Sequence, residues 1–261
     1  MFNLLKPLQI EHFSVQEAQS AKVGSFWKDI VLFYPYNRIY LVTDGNAELY
    51  LKNTALNLKP GRLYFIPAYS IVRGSCKDTF THYFLHFQTD TLSETVLKAA
   101  SFSKDLPAPD GAEALFKIIV ENITDANKLP AAALAVNGAF TVLLSHFFRD
   151  FQFSGDVLRF ADTLSFIDAN LTQPISVEDL AARSGYNTVY FSNQFAKTFK
   201  VSPKTYIIQK RLDYACNLLI GFHSVKQAAL LSGFTDEAYF SRLFKKKTGI
   251  SPTEFCTLSA R

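Results

Sequence analysis

Arginine, lysine and asparagine side chains recur at helical spacing in two stretches near the C-terminus. In residues 236–248, the positions expected to face outward carry Glu237, Ala238, Ser241, Arg242, Lys245 and Lys246. Arginine can donate two hydrogen bonds to the O6 and N7 atoms of guanine. Lysine more commonly pairs with phosphate, which positions a protein without specifying a sequence. Arg242 is therefore the strongest candidate for reading a base, and the lysines, with Lys247, are candidates for phosphate contacts.

An earlier stretch, residues 188–199, offers a weaker set of the same kind. Its predicted outward residues are Thr188, Val189, Ser192, Asn193 and Lys197. Asparagine can form two hydrogen bonds with adenine, so Asn193 is the candidate reader there, and Lys197 is a candidate phosphate contact.

The two stretches belong to an internal repeat, which places their side chains in equivalent positions. Residues 176–206 read SVEDLAARSGYNTVYFSNQFAKTFKVSPKTY, and residues 224–255 read SVKQAALLSGFTDEAYFSRLFKKKTGISPTEF. A repeat of this length indicates a duplicated structural unit. The alternative is a helical bundle whose charged face is merely solvated, and the ordered repetition argues against it.

Each copy predicts a short helix, a glycine turn and a second helix. Ser176 and Ser224 are expected N-caps, and Gly185 and Gly233 are expected to end the first helix in the left-handed conformation. Pro203 and Pro252 predict the start of a further helix. The aromatic residues predicted to face inward are Tyr190, Phe191 and Phe195, and in the second copy Tyr239, Phe240 and Phe244. The pattern is typical of a helix-turn-helix, whose second helix enters the major groove of DNA.

A long helix is predicted between the copies, over residues 203–220, and an amphipathic helix before them, over residues 156–170. A rigid connecting helix would fix the separation of two reading heads. Heads on one face of DNA are expected about 34 Å apart, which is one helical turn.

The region 155–261 resembles the AraC/XylS family of bacterial transcription regulators. The resemblance rests on SGY…YFSNQFAKTFKVSP and, more strongly, on SGFTDEAYFSRLFKKKTGISPTEF. It implies seven helices, two helix-turn-helix units joined by a long helix, and sequence-specific binding to promoter DNA. The first copy carries Asn193 where the family frequently has a basic residue.

The first half of the chain predicts short strands separated by glycine, proline and asparagine turns. The strands are expected at 30–34, 38–43, 47–51, 62–66 and 79–87, which favours a β-barrel or sandwich, followed by helices over 92–153. Alternation puts Arg38, Tyr40 and Val42 on one strand face. With Trp27, Tyr36 and Tyr64, Arg38 and Tyr40 could line a pocket for a small molecule carrying a carboxylate, phosphate or sugar. An arginine paired with an internal acid, or on an outward face, is the open alternative.

The stretch NRIYLVTDGNAELYLKNTALNLKPGRLYFIPAYS resembles a cupin-type sensor barrel of the kind found at the N-terminus of AraC-family proteins. Metal-binding cupins use three histidines and a glutamate. Arg38 stands at the glutamate position and Val72 at a histidine position, so no metal site is predicted. His82 and His86 share a strand face about 13 Å apart, too far for one ion.

Composition places the basic excess in the second half. Residues 1–154 hold 14 Lys/Arg and 14 Asp/Glu, and residues 155–261 hold 13 and 9. Three widely spaced cysteines favour free thiols in a reducing cytoplasm, and no signal peptide is recognised. The apolar stretch 131–148 could imitate a membrane span, but a buried or dimer-forming helix is preferred. Val136, Phe140, Leu143 and Phe147 are the candidates for a homodimer interface.

These observations predict an α+β chain with two domains. Residues 1–153 would form a cupin-like barrel with a helical dimerisation segment, and residues 154–261 an all-α domain with two helix-turn-helix motifs. The favoured function is a DNA-binding regulator that responds to a small-molecule effector, contacts RNA polymerase and needs no cofactor. The alternatives are a regulator whose first half is structural or binds protein, and an enzyme fused to a DNA-binding module. No catalytic residue is predicted, because no cysteine cluster or catalytic motif accompanies the repeat.

Overall fold

The computed structural model describes residues 13–24, 27–30, 36–51, 55–68, 70–89, 105–149, 159–221 and 223–259. Within them the strands precede the helices along the chain, with the strands confined to the first half. The predicted domain boundary between 153 and 154 lies outside the described residues, as do most of the predicted strand at 30–34 and the start of the predicted helix at 156–170.

The described part of the first half contains nine strands. They are β1 (Phe13–Val23), β2 (Lys28–Ile30), β3 (Asn37–Gly45), β4 (Ala47–Leu51), β5 (Ala55–Leu58), β6 (Arg62–Ile66), β7 (Ile71–Ser75), β8 (Phe80–Thr89) and β9 (Asp105–Pro107). They form a five-stranded sheet of order β1-β8-β3-β6-β9 and a four-stranded sheet of order β2-β7-β4-β5.

The sequence favoured a β-barrel or a sandwich. The two sheets are not closed into a barrel in the part of the chain that is described, so the described strands match the two-sheet alternative. Tyr40, Val42 and Tyr64 of the five-stranded sheet share a buried cluster with Leu49 and Leu58 of the four-stranded sheet. The alternation of side chains along a strand then turns the opposite face of the five-stranded sheet away from this cluster.

Two helices cover that opposite face: α1 (Ala112–Asn122) and α2 (Pro130–Ser145), the latter followed by a 3₁₀ turn, His146–Phe148. Phe116 and Phe140 pack there with Phe65 and Phe87, and the rings of Phe87 and Phe140 are 4.7 Å apart between centroids.

The four residues predicted to form a dimer interface lie in this core instead. Val136, Phe140, Leu143 and Phe147 are all below 5% exposed and pack against the chain's own sheet. The apolar run at 131–148 was correctly predicted as helical, but its strongest apolar stripe serves the fold of one protomer. Among the described residues, one helical segment, Pro130–Phe148, is long and apolar enough to cross a membrane.

The second half is helical throughout its described part. The helices are α3 (Ala161–Ala169), α4 (Val177–Arg183), α5 (Thr188–Phe199), α6 (Pro203–Ile220), α7 (Val225–Leu231), α8 (Glu237–Thr248) and α9 (Pro252–Ser259). The long helix α6 has the predicted bounds. Two aromatic cores flank it, one built around Phe160, Phe191 and Phe195 and the other around Phe234, Phe240 and Phe244.

Candidate DNA-binding surface and effector site

The two copies of the repeat fold as equivalent helix pairs, α4–α5 and α7–α8. Ser176 and Ser224 cap the first helix of each pair, and Gly185 and Gly233 take the left-handed conformation in the turn, with φ of 70° and 84°. Leu180 and Ala181 are buried in the first copy, as are Ala228 and Ala229 in the second. The sequence patterns for caps, turns and buried faces therefore predicted the local structure correctly.

Polar side chains fix the start of both second helices. The Tyr190 backbone N–H donates to Asn187 Oδ1 over 2.9 Å, and the Tyr239 N–H donates to Asp236 Oδ1 over 2.8 Å. Phenylalanines at i and i+4, Phe191 with Phe195 and Phe240 with Phe244, are fully buried beneath. The outer face of each helix is thereby set by its buried face.

The predicted contact residues of α8 lie on this outer face. Ala238, Arg242, Lys245 and Lys246 follow one another at i, i+4, i+7 and i+8, and all four are exposed, as is Glu237. Ser241 is half-buried at the edge of the face. The arrangement presents one long guanidinium and two ammonium groups from a single helix face, which suits a polyanion with a groove.

The predicted contact residues of α5 form a matching but less charged face. Val189, Asn193 and Lys197 repeat at i, i+4 and i+8 and are exposed, with Val189 at 71%. Thr188 and Ser192 are half-buried beside them. Position by position, Val189 corresponds to Ala238 and Asn193 to Arg242.

Two predictions about these helices are wrong. Tyr190 and Tyr239 were expected to face inward, but they are 42% and 40% exposed. They precede the buried phenylalanine by one residue, which turns them by about 100° around the helix. Each lies three residues before Asn193 or Arg242 and so borders the outer face. Tyrosine hydroxyls are among the groups that contact phosphate, so these two residues were missed as candidates.

Lys247 is the second correction. It was expected to contact phosphate, but its Nζ donates to the Gln209 carbonyl over 2.8 Å and pairs with the Asp213 carboxylate. Its side chain is 19% exposed, because it points at α6 rather than at solvent.

In the first half, the five-stranded sheet aligns the candidate effector residues in rows. Arg38 on β3 is opposite His86 on β8, which in turn is opposite Glu17 on β1. Tyr40 is opposite Phe84 on one side and Tyr64 on the other. Directly opposite residues share a sheet face, so these side chains stand on the face that carries the inter-sheet cluster.

Arg38 is 1% exposed, and its guanidinium carbon lies 5.0 Å from the centre of the Tyr36 ring. The Tyr36 ring stacks on His86 at 4.6 Å, and His86 Nδ1 lies 3.2 Å from a Glu17 carboxylate oxygen. The structure therefore brings three of the predicted effector residues, Arg38, Tyr36 and Tyr40, into one neighbourhood.

The other two predicted effector residues are held by separate contacts. Trp27 packs on Phe80, with 5.1 Å between ring centroids. The Tyr64 hydroxyl accepts from the Lys59 backbone N–H over 2.7 Å and donates to the Asn57 carbonyl over 3.1 Å. Tyr64 is fully buried, so its side chain closes the core rather than offering a polar group to a ligand.

Burial keeps the two histidines of this face neutral. It lowers the pKa of His82 to about 4. The pKa of His86 falls to about 3, chiefly through burial and further through the positive charge of Arg38. Histidine was considered as a metal ligand, and no group of three His, Cys, Asp or Glu side chains suited to a metal occurs in the described residues.

A cleft of about 460 Å³ lies at the turn between β3 and β4. Glu48, Asn57, Lys77 and Asp78 are among its lining side chains. It shares no lining residue with the Arg38 neighbourhood, so it adds nothing to the effector assignment.

Comparison with known proteins identifies the class of the second half. A helix-turn-helix domain model matches residues 176–257, which include both helix pairs. The chain is 35% identical over 91 residues to YijO, an uncharacterized HTH-type transcriptional regulator of Escherichia coli, covering 34% of this chain and 32% of that protein. It is 30% identical over 109 residues to the transposon Tn10 TetD protein of Escherichia coli, covering 41% of this chain and 78% of that protein.

The class is thus that of helix-turn-helix transcriptional regulators. The chain belongs to the AraC family of these proteins. The matched segment spans about a third of the length of YijO and 39% of that of the related YkgA.

Solved structures extend the likeness to the whole fold. ToxT from Vibrio cholerae O395 superposes with a TM-score of 0.59 at 15% sequence identity, over 94% of this chain and 97% of that one. A second ToxT structure, bound to an unsaturated fatty acid, gives a TM-score of 0.58 over 94% and 95%. At this identity the likeness shows the two-domain architecture, a sheet-rich first half followed by a helical second half.

Proposed function

We propose that the protein is a sequence-specific DNA-binding transcriptional regulator, with a C-terminal domain (154–261) that binds promoter DNA and an N-terminal domain (1–153) that binds a small-molecule effector. The observation that carries the first part is the pair of equivalent, exposed helix faces on α5 and α8. Family membership supports the same function. The bases are read by Arg242 and Asn193, and phosphates are held by Lys197, Lys245 and Lys246.

Selection of bound duplexes from a random pool, followed by variants at α8, tests this assignment. Arg242→Ala should relax the preference at one base position and cost about 1–3 kcal/mol on the selected site. Lys245→Ala should weaken binding to every sequence alike and lower the slope of log K against log salt by about one. Equal, sequence-independent losses for both variants would show that the reading face is misplaced.

For the effector, we favour an organic acid over a sugar. Arg38 supplies a buried guanidinium, and Tyr36, Tyr40 and Phe84 supply aromatic surface beside it; arginine binds a carboxylate with two hydrogen bonds. The fatty acid bound by ToxT, a protein of similar fold, is an acid of this kind. A purely structural first half is the alternative, and it predicts no ligand.

Thermal unfolding of the full chain with oleate, octanoate and neutral sugars separates these possibilities, because a ligand that binds the folded state raises Tm. Arg38→Met should abolish the rise produced by a carboxylate. Arg62→Met is the matched control, since Arg62 is a half-exposed arginine of the same sheet that pairs with Asp105. An equal rise in wild type and Arg38→Met would remove Arg38 from the site.

Three further properties complete the proposal: a homodimer, contact with RNA polymerase and action in the bacterial cytoplasm. The stripe of α2 that was expected to form the dimer interface is buried. Exposed apolar side chains on α2 itself include Leu134 and Val142, at 73% and 46% exposure, and these are the candidates we favour. Sedimentation of Leu134→Glu against wild type tests the dimer, and an unchanged sedimentation coefficient would exclude this face. Relatives of this family are regulators rather than enzymes, which favours a chain without catalytic activity.

A further inference from the structure

One arginine on the connecting helix joins segments that belong to both helix pairs. Arg211 Nε donates to the Leu171 carbonyl over 2.8 Å, and its Nη2 donates to the Gln173 carbonyl over 2.7 Å. Both acceptors lie in the loop that leads into Ser176, the N-cap of α4. Its Nη1 donates to the Gly233 carbonyl over 3.1 Å, in the turn between α7 and α8.

Arginine is suited to this position because its planar guanidinium carries five N–H donors in a fixed geometry. Three of its nitrogens reach three carbonyl oxygens on two separate segments. Lysine has three donors on a single atom at the end of a flexible chain, so it cannot span the same three acceptors. The link is therefore specific to the side-chain type and not to its charge.

The Arg211 side chain is closely packed against its neighbours. A Cβ added at Gly233 would lie 3.0 Å from Arg211 Nε, 3.1 Å from Cζ and 3.2 Å from the Thr172 carbonyl oxygen. On the same helix, Asp213 and the Gln209 carbonyl hold Lys247, which belongs to α8. Residues 209–213 of α6 thus contact the loop before the first helix pair, the turn of the second and the recognition helix of the second.

We propose that Arg211 is a positioning residue that sets the spacing and rotation between the two DNA-reading helices, and hence the spacing of the two half-sites that the protein accepts. The proposal rests on the DNA-binding function proposed above. It assigns to Arg211 no contact with DNA. Loss of the link leaves each reading face intact and lets the two helix pairs adopt a range of relative positions.

The DNA test uses the duplex selected by the wild-type chain and two derivatives, with one base pair inserted or deleted between the half-sites. Each change moves the second half-site by about 3.4 Å and rotates it by about 34°. Wild type should lose about tenfold or more in affinity, a cost similar to that of a mismatched base pair. Arg211→Lys should bind the selected duplex more weakly but lose less than about threefold on the derivatives.

A second measurement needs no DNA. Spin labels at Lys197→Cys and Lys245→Cys, in a full chain that also carries Cys256→Ser, report the distance between α5 and α8. Wild type should give a narrow distance distribution, and Arg211→Lys a broader one. Gly233→Ala provides a second variant, because its added methyl would crowd the guanidinium and require it to shift by a few tenths of an ångström while Arg211 remains. Arg183→Lys is the matched control, since Arg183 lies 3.7 Å over the Phe166 ring within the first half of the domain, and it should behave as wild type.

The outcomes separate the two proposals. A broader distribution together with weaker spacing discrimination supports the role of Arg211. An unchanged distribution, or unchanged discrimination in Arg211→Lys while wild type selects DNA normally, overturns it and leaves the proposed function standing. A wild-type chain that selects no DNA sequence contradicts the proposed function, and the spacing proposal falls with it.

Discussion

His82 and His86 lie in their neutral form on the face of the five-stranded sheet that packs against the four-stranded sheet. The His82 ring stacks on Phe80 at 4.4 Å, and its Nδ1 is buried with no hydrogen-bond partner in the described structure. His86 stacks on Tyr36 and lies next to the positive charge of Arg38. Protonation of either ring would place a further charge in this interior.

The pH dependence of stability should therefore carry their signature. Both pKa values are lowered in the folded protein, to about 4 and about 3, so the unfolded chain binds more protons below its own pKa near 6.5. The free energy of unfolding should be highest above pH 6.5 and fall as the pH drops to about 4, by up to about 1.4 kcal/mol per pH unit for each histidine.

Urea unfolding between pH 7.5 and 4 measures this, with His82→Phe as the test variant. The variant replaces a buried ring by an apolar ring and removes one titrating group. Its stability should depend less on pH in this window than that of wild type. Curves that stay parallel would mean that His82 keeps its ordinary pKa.

At this scale the sequence predicted some side chains well and others badly. Arg242, Asn193 and the lysines at 245 and 246 were assigned to an outer face because local helical geometry alone decides it. Tyr190 could have been assigned correctly by the same geometry, since it is not at i or i+4 from the buried phenylalanines. Lys247 could not, because its partner Asp213 lies 34 residues earlier in the chain and only the tertiary fold brings them together.

At the scale of elements, the two turn glycines make a natural comparison. Gly185 and Gly233 occupy equivalent positions with left-handed φ. No atom beyond its chain neighbours would lie within 4 Å of a Cβ at Gly185, whereas a Cβ at Gly233 would contact the Arg211 guanidinium. An added methyl would strain the backbone at both glycines, but it would make a steric contact only at Gly233.

Gly185→Ala should cost about 1–2 kcal/mol of stability from backbone strain alone. Gly233→Ala should cost more, and most of the excess should vanish in an Arg211→Met background. Urea unfolding of the four variants in a double-mutant cycle provides the measurement. Equal losses for the two glycines would show that the guanidinium adapts without cost.

The elements themselves were predicted unevenly, for physical reasons. The helices of the repeat have caps, glycine stops and prolines that act within a few residues, and these were found. The 11-residue strand Phe13–Val23 was missed, because its exposed face is rich in Gln, Glu, Ser and Lys and its stability comes from pairing with Phe80–Thr89. The division of the strands into two separate sheets likewise depends on pairing between strands that are distant in the sequence, which local patterns do not reveal.

For the whole molecule, the proposed function requires the two halves to be coupled. If a carboxylate effector changes the affinity for DNA by some factor, DNA must change the affinity for that effector by the same factor. Titrations of labelled duplex at zero and saturating effector, and of effector at zero and saturating duplex, measure the two factors. In Arg38→Met both factors should fall to one, because the acid no longer binds. Two unequal factors in wild type would indicate that the acid also binds the DNA-reading helices.

The interface predicted for a homodimer could not be placed from the sequence alone. The apolar stripe on residues 136–147 is equally consistent with a protomer core and with a subunit interface, because both bury the same kind of surface. The sheet of the same chain covers it in this structure. A decision of that type needs the fold.

Arg211 donates its three hydrogen bonds to main-chain carbonyls, so the link does not depend on which side chains occupy positions 171 and 173. Over evolutionary time the exposed residues of α5 and α8 can diversify without disturbing it. Promoters recognised by descendants of this chain would then drift in base sequence while keeping a constant distance between half-sites. Such a link would be visible in genomes as binding sites that differ in base sequence but keep the same spacing between half-sites.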